Sequence, residues 1–128
     1  VNYLIDTNAW ISFFEDSPVL TEEAAQIMEA TENGCFVSIV SIWEAAIKVG
    51  LGKLSLPYDL GHDLPRILDD NGFELLGLQI ADAAGVRELE RIQGDPFDRI
   101  QVIQARRHRL QMVSRDPVFE HYGLKRIW

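Results

Sequence analysis

The chain has 128 residues, 47% of them hydrophobic and 25% charged, and carries a formal net charge of -8. That length predicts a single domain over residues 1–128, able to bury about two thirds of its unfolded surface, and the apolar share excludes a disordered polymer. One cysteine, Cys35, excludes an internal disulfide framework; with no signal-like start and no apolar run near the ~20 residues that span a bilayer, the expectation is a soluble cytoplasmic protein with no membrane partner.

Strand and helix signals alternate along the chain. Asn2 to Asp6 reads as a short buried strand, and a helix follows from Thr7 to Phe14. Asp16-Ser17-Pro18 breaks the chain. Thr21 then caps a helix with Glu22 and Glu23 in its first turn, where the dipole favours acids, and Gly34 is read as its end. Cys35 to Ser38 is a second strand. In "IVSIWEAAIKVG" the residues Ile39, Ile42, Trp43, Ala46, Ile47 and Val49 suggest one broad buried stripe on a helix, with Trp10, Trp43 and Trp128 all read as core.

"GLGKLSLPYDLG" is loop-like, and "HDLPRILDDNG" is a helix ending at Gly72, provided that Pro65 lies in its first turn. "FELLGL" predicts a third strand and "QIADAAGVRELERI" a helix. In "GDPFDRIQVIQARRHR", Asp95 is placed to cap and Pro96 to occupy the first helical position. "LQMVS" is a fourth strand, left at Asp116-Pro117, and "KRIW" a short last one. Strands separated by helices predict an α/β fold, a three-layer α/β/α sandwich on a mainly parallel sheet.

The overall charge argues against a nucleic-acid partner, yet its distribution does not. Residues 87–128 hold nine of the twelve basic side chains against six acids, near +3, whereas residues 1–86 are near -11. That asymmetry keeps a phosphate-bearing partner open.

Four acids lie where parallel α/β sheets place their ligands, beyond the carboxyl ends of strands: Asp6 after the first strand, Glu44 on the helix after the second, Asp98 in the first turn of "DPFD", and Asp116 past the fourth. Each also has a structural reading. Asp6 can cap its helix, and Ser41-Ile42-Trp43-Glu44 fits a capping box, unless the helix starts at Ser38. Asp98 can support the Asp95 cap, and Asp116 can be a turn acid before proline. Convergence would change the balance, because two like charges about 4 Å apart repel by about 4 kcal/mol at an effective dielectric near 20, against a domain stability of roughly 5–15 kcal/mol. Four converging carboxylates would call for a cation or for raised pKa values. An all-oxygen donor set without a His or Cys pattern suits Mg²⁺ or Mn²⁺ better than Zn²⁺.

Together, "YLIDTNAW", "VSIVSIWEAAIKVGLGKLSLP", "DPFDRIQVIQA" and "MVSRDPVFEHYGLKRIW" resemble, in order and over nearly the whole chain, a PIN domain of the compact kind found as toxin ribonucleases in VapBC-type toxin-antitoxin modules. The resemblance implies an α/β/α sandwich, an acidic Mg²⁺ site and metal-dependent endoribonuclease activity. It matches Asp6 to the first-strand acid, Glu44 to the acid in "WE", Asp98 to the second acid of "DPFD" and Asp116 to the acid after "MVS". Many relatives read D-T-H where this chain has Asp6-Thr7-Asn8, so no role is assigned to position 8. The partners implied are an RNA substrate, a cognate antitoxin and a second copy in a homodimer.

Asp6 and Asp98 are the expected principal metal ligands, with Glu44 and Asp116 completing the shell; the division of roles and the number of ions stay open. Arg99 and Arg115 each follow one of these acids and are candidates for substrate phosphates, or for pairing with nearby acids. A covalent phosphatase built on Asp6 is disfavoured because Asn8 stands where a D-x-D signature has its second acid. A non-catalytic RNA-binding or assembly module on the same fold is the alternative reading.

Overall fold

Five short strands make one parallel sheet, and the path between them decides where its crevice lies. In the computed structural model, which describes residues 1–128, the chain begins β1 (Asn2–Ile5), α1 (Thr7–Phe14), α2 (Glu22–Glu29), β2 (Gly34–Ser38), α3 (Ile39–Gly50). It continues α4 (Leu64–Asp70), β3 (Glu74–Leu76), α5 (Ile80–Gly85), a 3-10 turn over Val86–Glu88, α6 (Pro96–His108), β4 (Gln111–Val113), α7 (Val118–His121) and β5 (Arg126–Ile127). Every pairing is parallel and the order is β3-β2-β1-β4-β5, as the α/β/α reading expects. The first three strands run outward to one side of β1 and the last two to the other. The order reverses between β1 and β4, and the crevice beyond their carboxyl ends is the topological switch point.

Alternation along the strands fills both faces. Tyr3, Ile5, Cys35, Val37 and Val113 join one apolar cluster, with Trp10, Met28 and Phe73. Leu4 and Met112 point the other way, into a second cluster with Val102, Leu110 and Phe119. Successive side chains of a strand face opposite sides of the sheet, so both faces are covered by helices and the strands read as continuous apolar runs. Cys35 is buried, and burial pushes its thiol up to about 11; it stays a protonated core residue with no route to a bond between chains.

Local start signals act as the sequence predicts. Thr21 accepts a hydrogen bond from the Ala24 amide, and Asp95 from Phe97 and Asp98; Pro65 and Pro96 both sit in first turns; of the two starts left open for α3, Ser38 is the cap, accepting from Val40. Because α3 starts after Ser38, Glu44 lies in its second turn and the capping-box reading of Ser41 and Glu44 does not hold.

Four other expectations are corrected. Gly34 opens β2 and does not end α2, which stops at Glu29. The helix expected over "QIADAAGVRELERI" reaches only Gly85 plus the 3-10 turn, because the carbonyls of Val86, Leu89 and Glu90 turn toward the Arg99 guanidinium. A short α7 follows Pro117, where no helix was read. The buried stripe assigned to α3 is also wrong: Val40, Ser41, Glu44 and Ala45 face inward, while Ile39, Ile47 and Val49 are exposed and Trp43 is 60% exposed. The helix is apolar nearly all round, so its periodicity does not select a face; hydrogen bonds from α1 to Ser41 and Glu44 do.

Candidate active site

The register of β1 on β4 builds the first part of the site. Ile5 lies opposite Val113, and the Asp6 amide donates to the Val113 carbonyl at 3.0 Å, so residues 6 and 114 emerge side by side at the switch point. Ser114 donates its hydroxyl proton to Asp6 Oδ2 at 2.7 Å. The Thr7 amide donates to Asp6 Oδ1 at 2.8 Å and the Gln101 amide to the same oxygen at 3.3 Å. Asp6 thus does cap α1, and the cap still leaves its carboxylate at the crevice. Burial nevertheless raises the Asp6 pKa, helped by the charge of Glu44 and opposed by the bonds from Ser114, Thr7 and Gln101.

Glu44 is fixed by a directed chain of hydroxyls. Trp10 Nε1 donates to Ser41 Oγ at 2.7 Å and Thr7 Oγ1 donates to Glu44 Oε1 at 2.7 Å. Each hydroxyl has one proton, so the 2.7 Å contact between Ser41 and Thr7 must run from Ser41 to Thr7. All three donors then point toward the glutamate, an arrangement in which each bond polarises the next. On its other oxygen, Glu44 meets Lys48 Nζ at 3.1 Å, one helical turn on, in the favourable acid-before-base order.

Asp98 stands in the first turn of α6, its only side-chain partner the Gln93 amide at 3.5 Å. Burial, and then the charges of Asp6, Asp95, Glu44 and Asp116, push its carboxyl up to about 8. Asp116 is exposed: its amide donates to Ser114 Oγ and its carboxylate accepts from the Val118 amide. The fold therefore brings Asp6, Glu44 and Asp116, from three widely separated segments, within electrostatic reach of Asp98 on a fourth.

The donor chemistry fits a hard divalent cation, since every anionic group is a carboxylate and the like charges oppose one another. No three of them lie close enough here to ligate one ion directly. A Mg²⁺ ion commonly takes only one or two carboxylates and keeps several waters, and a site of spread acids with an orphaned buried amide oxygen, Gln101 Oε1, suits such a hydrated ion.

The family model described as PIN domain matches residues 3–125. The chain belongs to the PIN domain family. A search of curated proteins finds no match. Among solved structures, VapBC2 from Rickettsia felis, bound to a DNA fragment from their promoter, is similar at TM-score 0.72 and 15% identity, with 99% of this chain and 98% of that chain covered. FitAcB from Neisseria gonorrhoeae gives 0.65 and 20%, covering 100% and 97%, and a toxin-antitoxin complex from Klebsiella pneumoniae 0.57 and 22%, covering 90% and 87%. These identities speak to the shared fold.

The two arginines of interest in this PIN domain sit differently. Arg115 is exposed. Arg99 directs its guanidinium at the carbonyls of Val86, Leu89, Glu90 and Gln93, at 2.9–3.4 Å, away from a role as a free phosphate ligand. Gln101, fully buried against Asp6, was not singled out from sequence. Its signal was available: it lies three residues after Asp98, hence on the same helical face, and is polar within the otherwise apolar run Ile100–Ile103.

Trp43, expected in the core, stands at the rim beside Glu44, its ring edge-to-face with Phe97 at 5.2 Å. No helix is long and apolar enough to cross a membrane.

Proposed function

We propose that this PIN domain, a single unit over residues 1–128, is a metal-dependent endoribonuclease that hydrolyses RNA phosphodiester bonds and acts as the toxin of a toxin-antitoxin pair. The observation that carries this reading is that Asp6, Glu44 and Asp116 all act on Asp98 at the switch point, where burial and then these like charges lift its carboxyl to about 8. Carboxylates held at such a cost in repulsion point to a cation as their working partner.

In this reading Asp6 and Asp98 are the principal ligands for Mg²⁺, with Mn²⁺ as a substitute, and Glu44 and Asp116 complete the shell through water. The bound cation supplies the positive charge that admits an anionic phosphodiester and acidifies a water. The chain's own groups do the rest. Ser114, Thr7 and Gln101 hold Asp6 in one orientation, and the Trp10-Ser41-Thr7 chain holds Glu44. Asp98 would hold the cation as a carboxylate, so metal affinity would rise with pH. Arg115, at the rim, takes a substrate phosphate; Arg99 adds charge from behind the loop it pins.

The toxin assignment is supported by the fold shared with VapBC2 from Rickettsia felis and with a toxin-antitoxin complex from Klebsiella pneumoniae. A cognate antitoxin with a cationic segment would match the acidic crevice. The exposed Ile39, Trp43 and Ile47, at successive turns of α3, supply an apolar face for a homodimer, and the cytoplasm is the compartment where such a pair meets RNA.

Cleavage of an RNA panel with Mg²⁺, with EDTA, and by Asp6→Asn and Asp98→Asn tests the reading. Chelation and either substitution should each reduce cleavage by at least about 100-fold. Activity that survives all three removes the mechanism, and RNA binding without cleavage across the panel leaves the non-catalytic module. Co-purification from the native host tests the antitoxin, and light scattering of the wild type against Trp43→Glu tests the dimer.

A further inference from the structure

A nucleic-acid strand carries a charge at every phosphate, and an acidic centre deals with only the one that is cut. Beside that centre lies a cleft of about 450 Å³ lined by Val86, Arg87, Arg91, Gln93, Gly94 and Arg99. Its walls contain three guanidinium residues and no carboxylate. Four other cavities each include an acid, from Asp69, Asp16 or Glu29 to Asp59. In a chain of net charge -8, a concave surface of purely basic charge is a departure that composition does not account for.

The cleft is also anchored to the acids. Arg99 donates to the carbonyls of Glu90 at 2.9 Å, Gln93 at 3.3 Å, and Val86 and Leu89 at 3.4 Å, which ties the 3-10 turn and the loop behind it to the first turn of α6. Gln93 accepts from the Asp95 amide and donates to Asp98 Oδ2. The segment bearing Arg87 and Arg91 is therefore held in register with Asp98. Its acids do not line the cleft. Glu90 pairs with Arg106 at 3.1 Å, and that contact lowers its pKa. Glu88 meets Arg87 at 3.4 Å between two largely exposed side chains, a pairing that water screens and a phosphate can displace.

We propose that Arg87 and Arg91 bind the backbone phosphates flanking the scissile bond, in the cleft that Arg99 shapes as a positioning residue. The proposal rests on the nuclease reading and adds where the substrate strand lies: from the acidic crevice across Gln93 into the basic cleft. Guanidinium suits the task because its fork meets two phosphate oxygens at once and stays charged at any working pH. The opposed signs orient the strand, since the cleft attracts backbone that the carboxylates repel.

The test measures binding separately from cleavage. Fluorescence anisotropy of a labelled single-stranded oligoribonucleotide is followed across a KCl series with the Asp98→Asn protein, alone and with Arg87→Ala and Arg91→Ala added. Losing both guanidiniums should weaken binding by about 10- to 100-fold. It should also make the log-log salt dependence shallower by about 1.4, from roughly 0.7 per phosphate contact on a single strand. Arg87→Lys with Arg91→Lys should keep most of the slope. In the cleaving protein the double alanine change should raise KM and leave kcat. Unchanged affinity and slope overturn the proposal. If the parent cleaves in an Asp98-dependent way and ignores the arginines, the cleft alone is refuted. If neither protein cleaves, the nuclease reading fails while the binding series still decides the cleft.

Discussion

Replacing Asp98 by Asn should make the metal-free protein more stable while removing its activity. The carboxyl is displaced from 3.8 to about 8, a shift of about four units at about 1.4 kcal/mol each. Asp98 is partly exposed, and halving for solvent screening leaves about 3 kcal/mol. Below about pH 4 the side chain is neutral in folded and unfolded wild type alike, and the two proteins should match. As pH rises past about 4 the unfolded wild type loses the proton that the folded form keeps, so its stability falls and levels off once the folded form ionises too. Urea unfolding in EDTA at about pH 4 and about pH 8.5 measures the difference, and subtracting the variant cancels every other titrating group. The expected result is a gap that grows by about 3 kcal/mol, in favour of Asn, over that range. Mg²⁺ at a hundredfold excess over its dissociation constant should restore about 2.7 kcal/mol to the wild type and little to the variant. Parallel pH profiles would refute the reasoning, because they would mean that Asp98 feels neither burial nor its acidic neighbours.

Four further outcomes follow from named contacts. Ser114→Ala removes a donor from buried Asp6 and the acceptor of the Asp116 amide. It should cost about 1–3 kcal/mol and weaken Mg²⁺ binding by about 10- to 100-fold, read by urea melts and calorimetric titration. Thr7→Val, nearly isosteric, severs the hydroxyl chain at Glu44 and should cost about 2 kcal/mol, whereas Thr7→Ser should recover most of it; equal losses would assign the effect to packing. Arg99→Ala frees four carbonyls, so amide hydrogen exchange should quicken over residues 86–94 and stay unchanged in β1 and β4. Arg109 closes α6 with φ 56 and ψ 48, a left-handed conformation costing a non-glycine residue about 1 kcal/mol, and Arg109→Gly should stabilise the chain by about that much in a thermal melt.

What the sequence determined by itself was local. Apolar runs of four or five residues, the caps at Thr21, Ser38 and Asp95, and the prolines at 65 and 96 act within one turn of chain, so strands and most helices were legible before any packing was known. The alternation of those elements led to the parallel sheet, and with it to the strand ends where Asp6 and Asp116 lie.

Tertiary structure decided which faces and which partners. Trp43 and its apolar neighbours on α3 predicted a buried stripe, yet the buried side of that helix was chosen by hydrogen bonds from Thr7 and Trp10, more than thirty residues away. Arg99 was open to a substrate phosphate or to a nearby acid, and its partners are neither: the carbonyls of residues 86–93 fold back onto it, and the same folding cut short the helix expected there. The Asp98 pKa is likewise absent from any local pattern, because it is the sum of burial and of charges from residues 6, 44, 95 and 116. Covalent neighbours set dihedral preferences and caps; Coulomb fields and buried hydrogen bonds act between atoms close in space, and only the folded register of β1 on β4, with α3 and α6 packed beside it, brings those atoms together.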